Sequence, residues 1–224
     1  MKKTFFWIFI AAVSFSSCGE QKGDNKQKKE TKPSREVLTP EKEAALSIEE
    51  EHAVFKSRYA DSVNRGLIEP DTFIGSARRV AREKIAGCEI TVNYGSPGKR
   101  GRVLWNGLVS YDQVWVSGSH WATAVEFSNP VKVEETVINP GMYAFFTIPG
   151  REEWTLIINE IYDKHLAEEY DKRLDLVRVK VKPRHLDETI QRLTYSVDSE
   201  GSRYGEISMA WDQIKVSMPF EVLE

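Results

Sequence analysis

Between residues 76 and 222 the apolar and polar positions alternate in short runs: EITVNY, RVLW, ATAVEF, VKVEETV, MYAFFTI, EWTLIIN, LVRVKV, LTYSV, EISMAW and IKVSM. A period of two sends successive side chains to opposite faces of an extended chain, and these runs are rich in β-branched and aromatic residues. Within LVRVKV, Val177, Val179 and Val181 share one face while Arg178 and Lys180 share the other, as in a sheet covered on one side. Gly, Pro, Asn, Asp and Ser separate the runs, and Pro140-Gly141 and Pro149-Gly150 bracket MYAFFTI as a strand between turns. The spacing predicts one all-β domain over 76–224, an antiparallel β-sandwich or barrel-like fold.

Ahead of it, over 39–75, the period changes. Thr39 is placed to cap a helix with Pro40 at its first position and acidic residues in its first turn. Ser47 offers a second cap with Glu50 three residues on, and Ile48, Val54, Phe55 and Tyr59 form a helical stripe that Gly66 would end. One or two short helices packed on the β domain are expected. Inside that domain IYDKHLAEEYDKRLD breaks the alternation, because Leu166 and Tyr170 recur at helical spacing; it predicts one short inserted helix or an ordered excursion over the sheet edge.

The N-terminus has a different character. Lys2 and Lys3 precede an apolar run over 5–13 that is too short to span a bilayer comfortably, and Ser16 and Ser17 stand immediately before Cys18. This resembles a secretory leader ending in a bacterial lipobox, with 1–17 as signal peptide and Cys18 as the lipidated first mature residue; an ordinary cleaved leader is the alternative. Residues 18–38 are polar throughout and cannot bury enough surface to offset ordering, so they read as a flexible tether. The expected location is the bacterial cell envelope, with the protein exported and held on a membrane by its N-terminal lipid.

Charge and cysteines narrow the partners. The formal charge is −3, and removing a leader that holds Lys2 and Lys3 makes the body more acidic, which leaves no basic surface for nucleic acid. Cys88 is the second of two cysteines, and a lipidated Cys18 could not pair with it. Stability must then come from a packed core. No dinucleotide fingerprint, phosphate loop, HExxH, Gly-x-Ser-x-Gly or CxxC occurs. YGSPGKRGR lacks the Gly-Lys-Ser/Thr order of a phosphate loop and reads as a turn whose glycines permit positive φ.

Three blocks occur in order: NYGSPGKRGRVLWNGLVSYDQVWVSGSHWAT, then NPGMYAFFTIPGREEWTLIIN, then AWDQIKVSMPFEV. Together, over about 76–222, they resemble the DUF2911 family of bacterial envelope proteins, on Tyr94, Pro97, Gly101 and Arg102, on Gly107, Leu108 and Val109, and on Trp115, Gly118, Ala122 and Thr123. The resemblance implies an exported β-rich protein and carries over no activity. Many members have Trp-Arg-Thr-Gly-Ala-Asn-Glu-Ala-Thr where this chain has Val116, Ser117, Ser119, His120 and Trp121 at the variable places.

Two kinds of chemistry fit these residues. Trp121 and Tyr111 could supply a stacking surface for a glycan or peptide, with His120 and Asp112 as polar contacts and Arg102 as an anion or carbonyl donor. Trp105 and Trp115 read as core aromatics of neighbouring strands. Alternatively His52, His120 and His165, brought together beside Glu168 or Glu169, would suit a transition metal such as zinc or copper and a metal-assisted hydrolysis. A Ser117 or Ser119 nucleophile beside His120 lacks the strained turn such a residue needs. The expected outcome is an envelope binding or assembly module, with the histidine site as its alternative.

Overall fold

Inward-facing residues of two antiparallel sheets meet in one core, and that alternation organises the chain. The computed structural model describes residues 40–223; the leader, Cys18 and the tether lie outside the described residues. In chain order the elements are α1 (Pro40–Asn64), β1 (Ala77–Ile85), β2 (Cys88–Ser96), β3 (Thr123–Phe127), β4 (Val131–Val133), β5 (Thr136–Ile138), β6 (Gly141–Ile148), β7 (Trp154–Asn159), β8 (Asp175–Val181), β9 (Arg184–Ser199) and β10 (Tyr204–Val222). Six strands form one sheet in the order β1-β2-β3-β6-β7-β8, and four form the other in the order β5-β4-β10-β9. Ile90, Phe145 and Leu156 of the first sheet share a core with Leu193, Met209 and Met218 of the second, which is the packing of a sandwich. At the margins β1 lies against β9 and β8 against β5, so the sheets approach each other on both sides.

Four indoles mark one part of this core. Trp105 lies 4.8 Å from Trp154, 6.0 Å from Trp211 and 6.1 Å from Trp115, centroid to centroid, and meets all three edge to face. Trp115 stacks on Trp211 at 5.9 Å. Such tilted and offset pairs satisfy the ring quadrupoles as well as burying area. Trp211 reaches this place through a bulge, where the β9–β10 register shifts on either side of Asp212 and Asp212 itself has φ 54°. A bulge re-aims the side chain beside it. EISMAW and IKVSM are therefore one strand, bent at Asp212, which an ion pair with Lys99 anchors.

Other expectations change in detail. RVLW is not a strand: Leu108 N–H and Val109 N–H donate back to the carbonyls of Val103 and Leu104, closing a tight loop that leaves Val103 exposed. VKVEETV divides at Glu134 (φ 50°) into the β4–β5 hairpin. The cation-rich ARRVAREKI, which has little apolar periodicity, forms β1, with Ala77 and Ile85 turned inward. The expected short inserted helix is present as two single 3-10 turns, Ala167–Glu169 and Lys172–Leu174, and Leu166 (φ 72°, ψ 162°) has no helical conformation that would lengthen the first.

The N-terminal segment folds as one helix, α1. Its end is a Schellman motif: Gly66 sits at φ 68°, Gly66 N–H donates to Val63 O and Leu67 N–H to Ser62 O. The buried face is Ala60 and Val63 rather than the expected stripe, since Val54 and Phe55 are exposed. Asn64 fixes the helix to β9, donating to Arg192 O and to Thr194 Oγ1 and accepting from Arg192 N–H. Below it, the fully buried Arg192 pairs with Asp71 at 2.8 Å, donates to the carbonyls of Phe73, Gly75 and Ser96, and lies over the rings of Tyr59 and Phe73. One guanidinium thus joins α1, the 71–75 segment, β2 and β9.

A titratable cluster ties the 3-10 segment to β8. Tyr170 O–H donates to Asp175 Oδ2 at 2.6 Å, and Arg178 donates to both oxygens. Burial, with the Asp175 hydrogen bond and charge adding to it, pushes the Tyr170 phenol from an ordinary 10.0 up to about 12. The folded state therefore holds this proton more tightly than the unfolded state, and the stabilisation is complete below pH 10 and lost as pH rises through about 12. A Tyr170→Phe variant is expected to be less stable than the parent at pH 9, with a smaller gap at pH 11. Thermal melts at the two pH values measure this; a gap that stays constant contradicts it.

Candidate functional site

The segment 115–123 is pinned from several sides. Trp115 exchanges both backbone hydrogen bonds with Thr147, Ser117 Oγ donates to Thr147 Oγ1, and Ser117 O accepts from Thr123 Oγ1 and Tyr195 O–H. Ser117 is fully buried in these contacts, which gives it a structural task. Gly95 of β2 lets the segment lie close: a Cβ there would stand 2.7 Å from Ser119 O. Beyond it, Ala122 N–H donates to Lys164 O and Leu166 N–H to His120 O, so residues 120–122 run beside 164–166.

That pairing brings two of the expected metal ligands together. The His120 and His165 rings lie 6.3 Å apart and nearly parallel, and Trp121 meets His165 edge to face at 5.0 Å. His52 is exposed on α1, and among the described residues no group of three or more His, Cys, Asp or Glu side chains could hold a metal ion. His185, at the start of β9, is exposed.

His120 and Trp121 border different recesses. His120 lines a cleft of about 410 Å³ with Arg100, Arg102 and Glu168 on its polar side and Trp115 and Trp211 among its apolar residues. Trp121 lines a trough of about 430 Å³ on the outer face of the six-stranded sheet. Alternation places Arg78, Val80 and Arg82 of β1, Thr91 and Asn93 of β2, and Ala124 and Glu126 of β3 along its floor. Tyr162 and Asp163 complete it, and Trp121 and Tyr162 are 52% and 46% exposed. Arg78 is held in place by Asn93, donating to its Oδ1 at 2.8 Å and its backbone oxygen at 3.2 Å, and burial lowers its pKa.

The expected binding set is therefore divided. Arg102 and His120 belong to the cleft and Trp121 to the trough. Tyr111 and Asp112 stand at neither: Arg151 covers the Tyr111 ring at 5.2 Å, and Asp112 N–H donates to Pro149 O. Sequence reasoning passed over Tyr162, Arg78 and Asn93. The alternation of Arg78, Val80 and Arg82 was the signal that could have shown β1 as a strand with one exposed cationic face.

A family model described as protein of unknown function (DUF2911) matches residues 76–220. The chain belongs to the DUF2911 family. No curated protein and no solved structure matches it. The DUF2911 match begins one residue before β1 and ends inside β10, so it takes in β1 to β9, most of β10, the trough and all of the cleft lining but Gly75, whereas α1 precedes it. Pro97, Arg102, Leu108, Val109, Trp115 and Gly118, which carry the DUF2911 resemblance, all line the cleft; of the variable places, Val116, Ser119 and His120 line it too and Trp121 borders the trough.

Proposed function

We propose that this protein is a non-catalytic binding module of the bacterial cell envelope, anchored through lipidated Cys18, that holds a glycan in the trough beside Trp121. The observation that carries the reading is the half-exposed indole of Trp121 at a trough that also presents Tyr162 and a mixed set of donors and acceptors. A sugar ring has an apolar C–H face that packs on a flat aromatic and a rim of hydroxyls that both donate and accept. Arg78, Arg82 and Asn93 supply donors, and Glu126 and Asp163 supply acceptors. The positions of Arg78 and Asn93 are fixed before any ligand arrives, which lowers the ordering cost of binding.

Anchoring and export rest on the N-terminal pattern; among the described residues no helix is long and apolar enough to cross a membrane. The hydrolytic alternative starts from the His120–His165 pair, and as a metal site it needs a third ligand, which no group of metal-binding side chains among the described residues supplies. Elemental analysis of protein purified without chelator separates the two readings: near-stoichiometric zinc or copper, lost in His120→Ala/His165→Ala, would favour the alternative.

Titration with neutral hexose and N-acetylated amino-sugar oligosaccharides tests the proposal. Binding is expected for at least one class, and Trp121→Ala is expected to weaken it about tenfold, or about 1.4 kcal/mol. Since Trp121 is half exposed, the same variant should melt within about 0.5 kcal/mol of the parent. No binding across the set, or a silent Trp121→Ala, rejects the glycan reading.

A further inference from the structure

The cleft beside the trough has its own signature. Residues 97–102 turn tightly, with Arg100 at φ 47°, Gly101 at φ 70° and Arg102 N–H donating to Lys99 O. Positive φ at both central positions makes this a type I′ turn, which ordinarily recruits Asn, Asp or Gly at the first of them. Arginine stands there instead. The cleft contains two more non-glycine residues in the same unfavourable half of backbone space, His120 at φ 65° and Leu166 at φ 72° with ψ 162°. The Leu166 conformation is one almost confined to glycine. Three such residues on separate segments converge on one cleft, and backbone conformations of this kind persist where a site over-determines them.

The charges of the cleft point to what it takes. Among the described residues neither Arg100 nor Arg102 has a carboxylate partner; Arg102 spends its Nε and one terminal nitrogen on the carbonyls of Lys99 and Gly98, which hold its guanidinium in position. Lys99, by contrast, is neutralised by Asp212. Beside the two guanidinium groups lie apolar surfaces from Leu108, Val109, Trp115 and Trp211. Glu168 also borders the cleft and disfavours a densely charged anion.

We propose that this cleft binds a small organic monoanion, its carboxylate held by Arg100 and Arg102 and its apolar body lying against Trp115 and Trp211. Arginine suits this task because its fixed fork of N–H donors matches a carboxylate. The volume of about 410 Å³ accommodates a ligand the size of an aryl-acetic acid. The site is separate from the Trp121 trough, and the inference does not depend on the glycan reading.

Calorimetric titration of the protein with butyrate, phenylacetate and indole-3-acetate, each beside its uncharged amide and beside inorganic phosphate, tests the proposal. At least one carboxylate is expected to bind ten times or more tightly than its amide and than phosphate. The decisive variant is Arg100→Gly, which removes the guanidinium and at the same time relaxes a positive φ. Its melting temperature should rise while carboxylate affinity falls about tenfold, and Arg100→Lys should recover part of the loss. Trp121→Ala should leave carboxylate binding unchanged, so failure here and failure of the glycan reading are told apart. Absence of carboxylate binding, equal affinity for acid and amide, tighter phosphate binding, or an Arg100→Gly variant that binds like the parent would each overturn it.

Discussion

Arg192→Ala is expected to lower stability by about 3–5 kcal/mol, the range found when one partner of a buried ion pair is removed. Arg192 is 0% exposed and the Asp71 side chain 4%, so the substitution leaves a carboxylate with neither water nor cation. Three backbone carbonyls lose a donor at the same time, and the rings of Tyr59 and Phe73 lose the group they pack on. At about 2–4 °C per kcal/mol for a chain of this size, the melting temperature falls on the order of 10 °C. Asp71→Asn keeps the shape and removes the charge, and should cost less. The double variant Arg192→Met/Asp71→Leu should recover much of the loss, since a hydrophobic replacement of both partners is often tolerated. Urea melts of the four proteins measure this. A single Arg192→Ala loss below about 1 kcal/mol would mean that α1 and the 71–75 segment contribute little to holding the domain together.

Trp211→Ala is the second large effect, at about 3–5 kcal/mol for emptying a core position of an aromatic side chain. Its indole is 1% exposed, stacks on Trp115, meets Trp105 edge to face and donates to Gln191 O at 3.4 Å. The space left adjoins the cleft, so water entry and a widened cleft are expected together with the loss of near-ultraviolet circular dichroism from the coupled indoles. Trp211→Phe should cost less, because part of the area and one ring contact survive. Comparison with Trp121→Ala is informative: the residue type is the same, but one ring is buried against two other indoles and the other is half in solvent.

The alternation of LVRVKV was enough to place its strand and inner face, because burial on one side leaves a period of two in the residues themselves, whereas MYAFFTI and EWTLIIN were legible as strands from their apolar content and flanking turns, with Ala144, Phe146 and Ile157 buried in a second cluster. It failed where polar partners replaced apolar burial. Arg79 is buried in β1 through an ion pair with Asp61, 18 residues earlier in the chain, a contact that local periodicity cannot express. RVLW has the composition of a strand, yet its backbone hydrogen bonds are spent within the 103–109 loop. The site divides along the same line. His120 and Trp121 were legible as an unusual pair between strands, but which recess each would border depended on the pairing of 120–122 with 164–166, a contact between distant segments. Arg100 was hidden by its glycines: YGSPGKRGR gave a turn, and only the dihedral angles show that arginine occupies the position glycine would normally hold.

The central claim is that Trp121 is the glycan platform and that Trp154 and Trp211 take no part in holding the glycan. Its most direct test is a ¹H–¹⁵N correlation spectrum of labelled protein, read at the indole N–H resonances during titration with the oligosaccharides. A saturable shift of the Trp121 indole signal is expected while those of Trp154 and Trp211 stay in place. A Trp121 signal that does not move with any oligosaccharide, or buried indoles that move as far as it does, would contradict it.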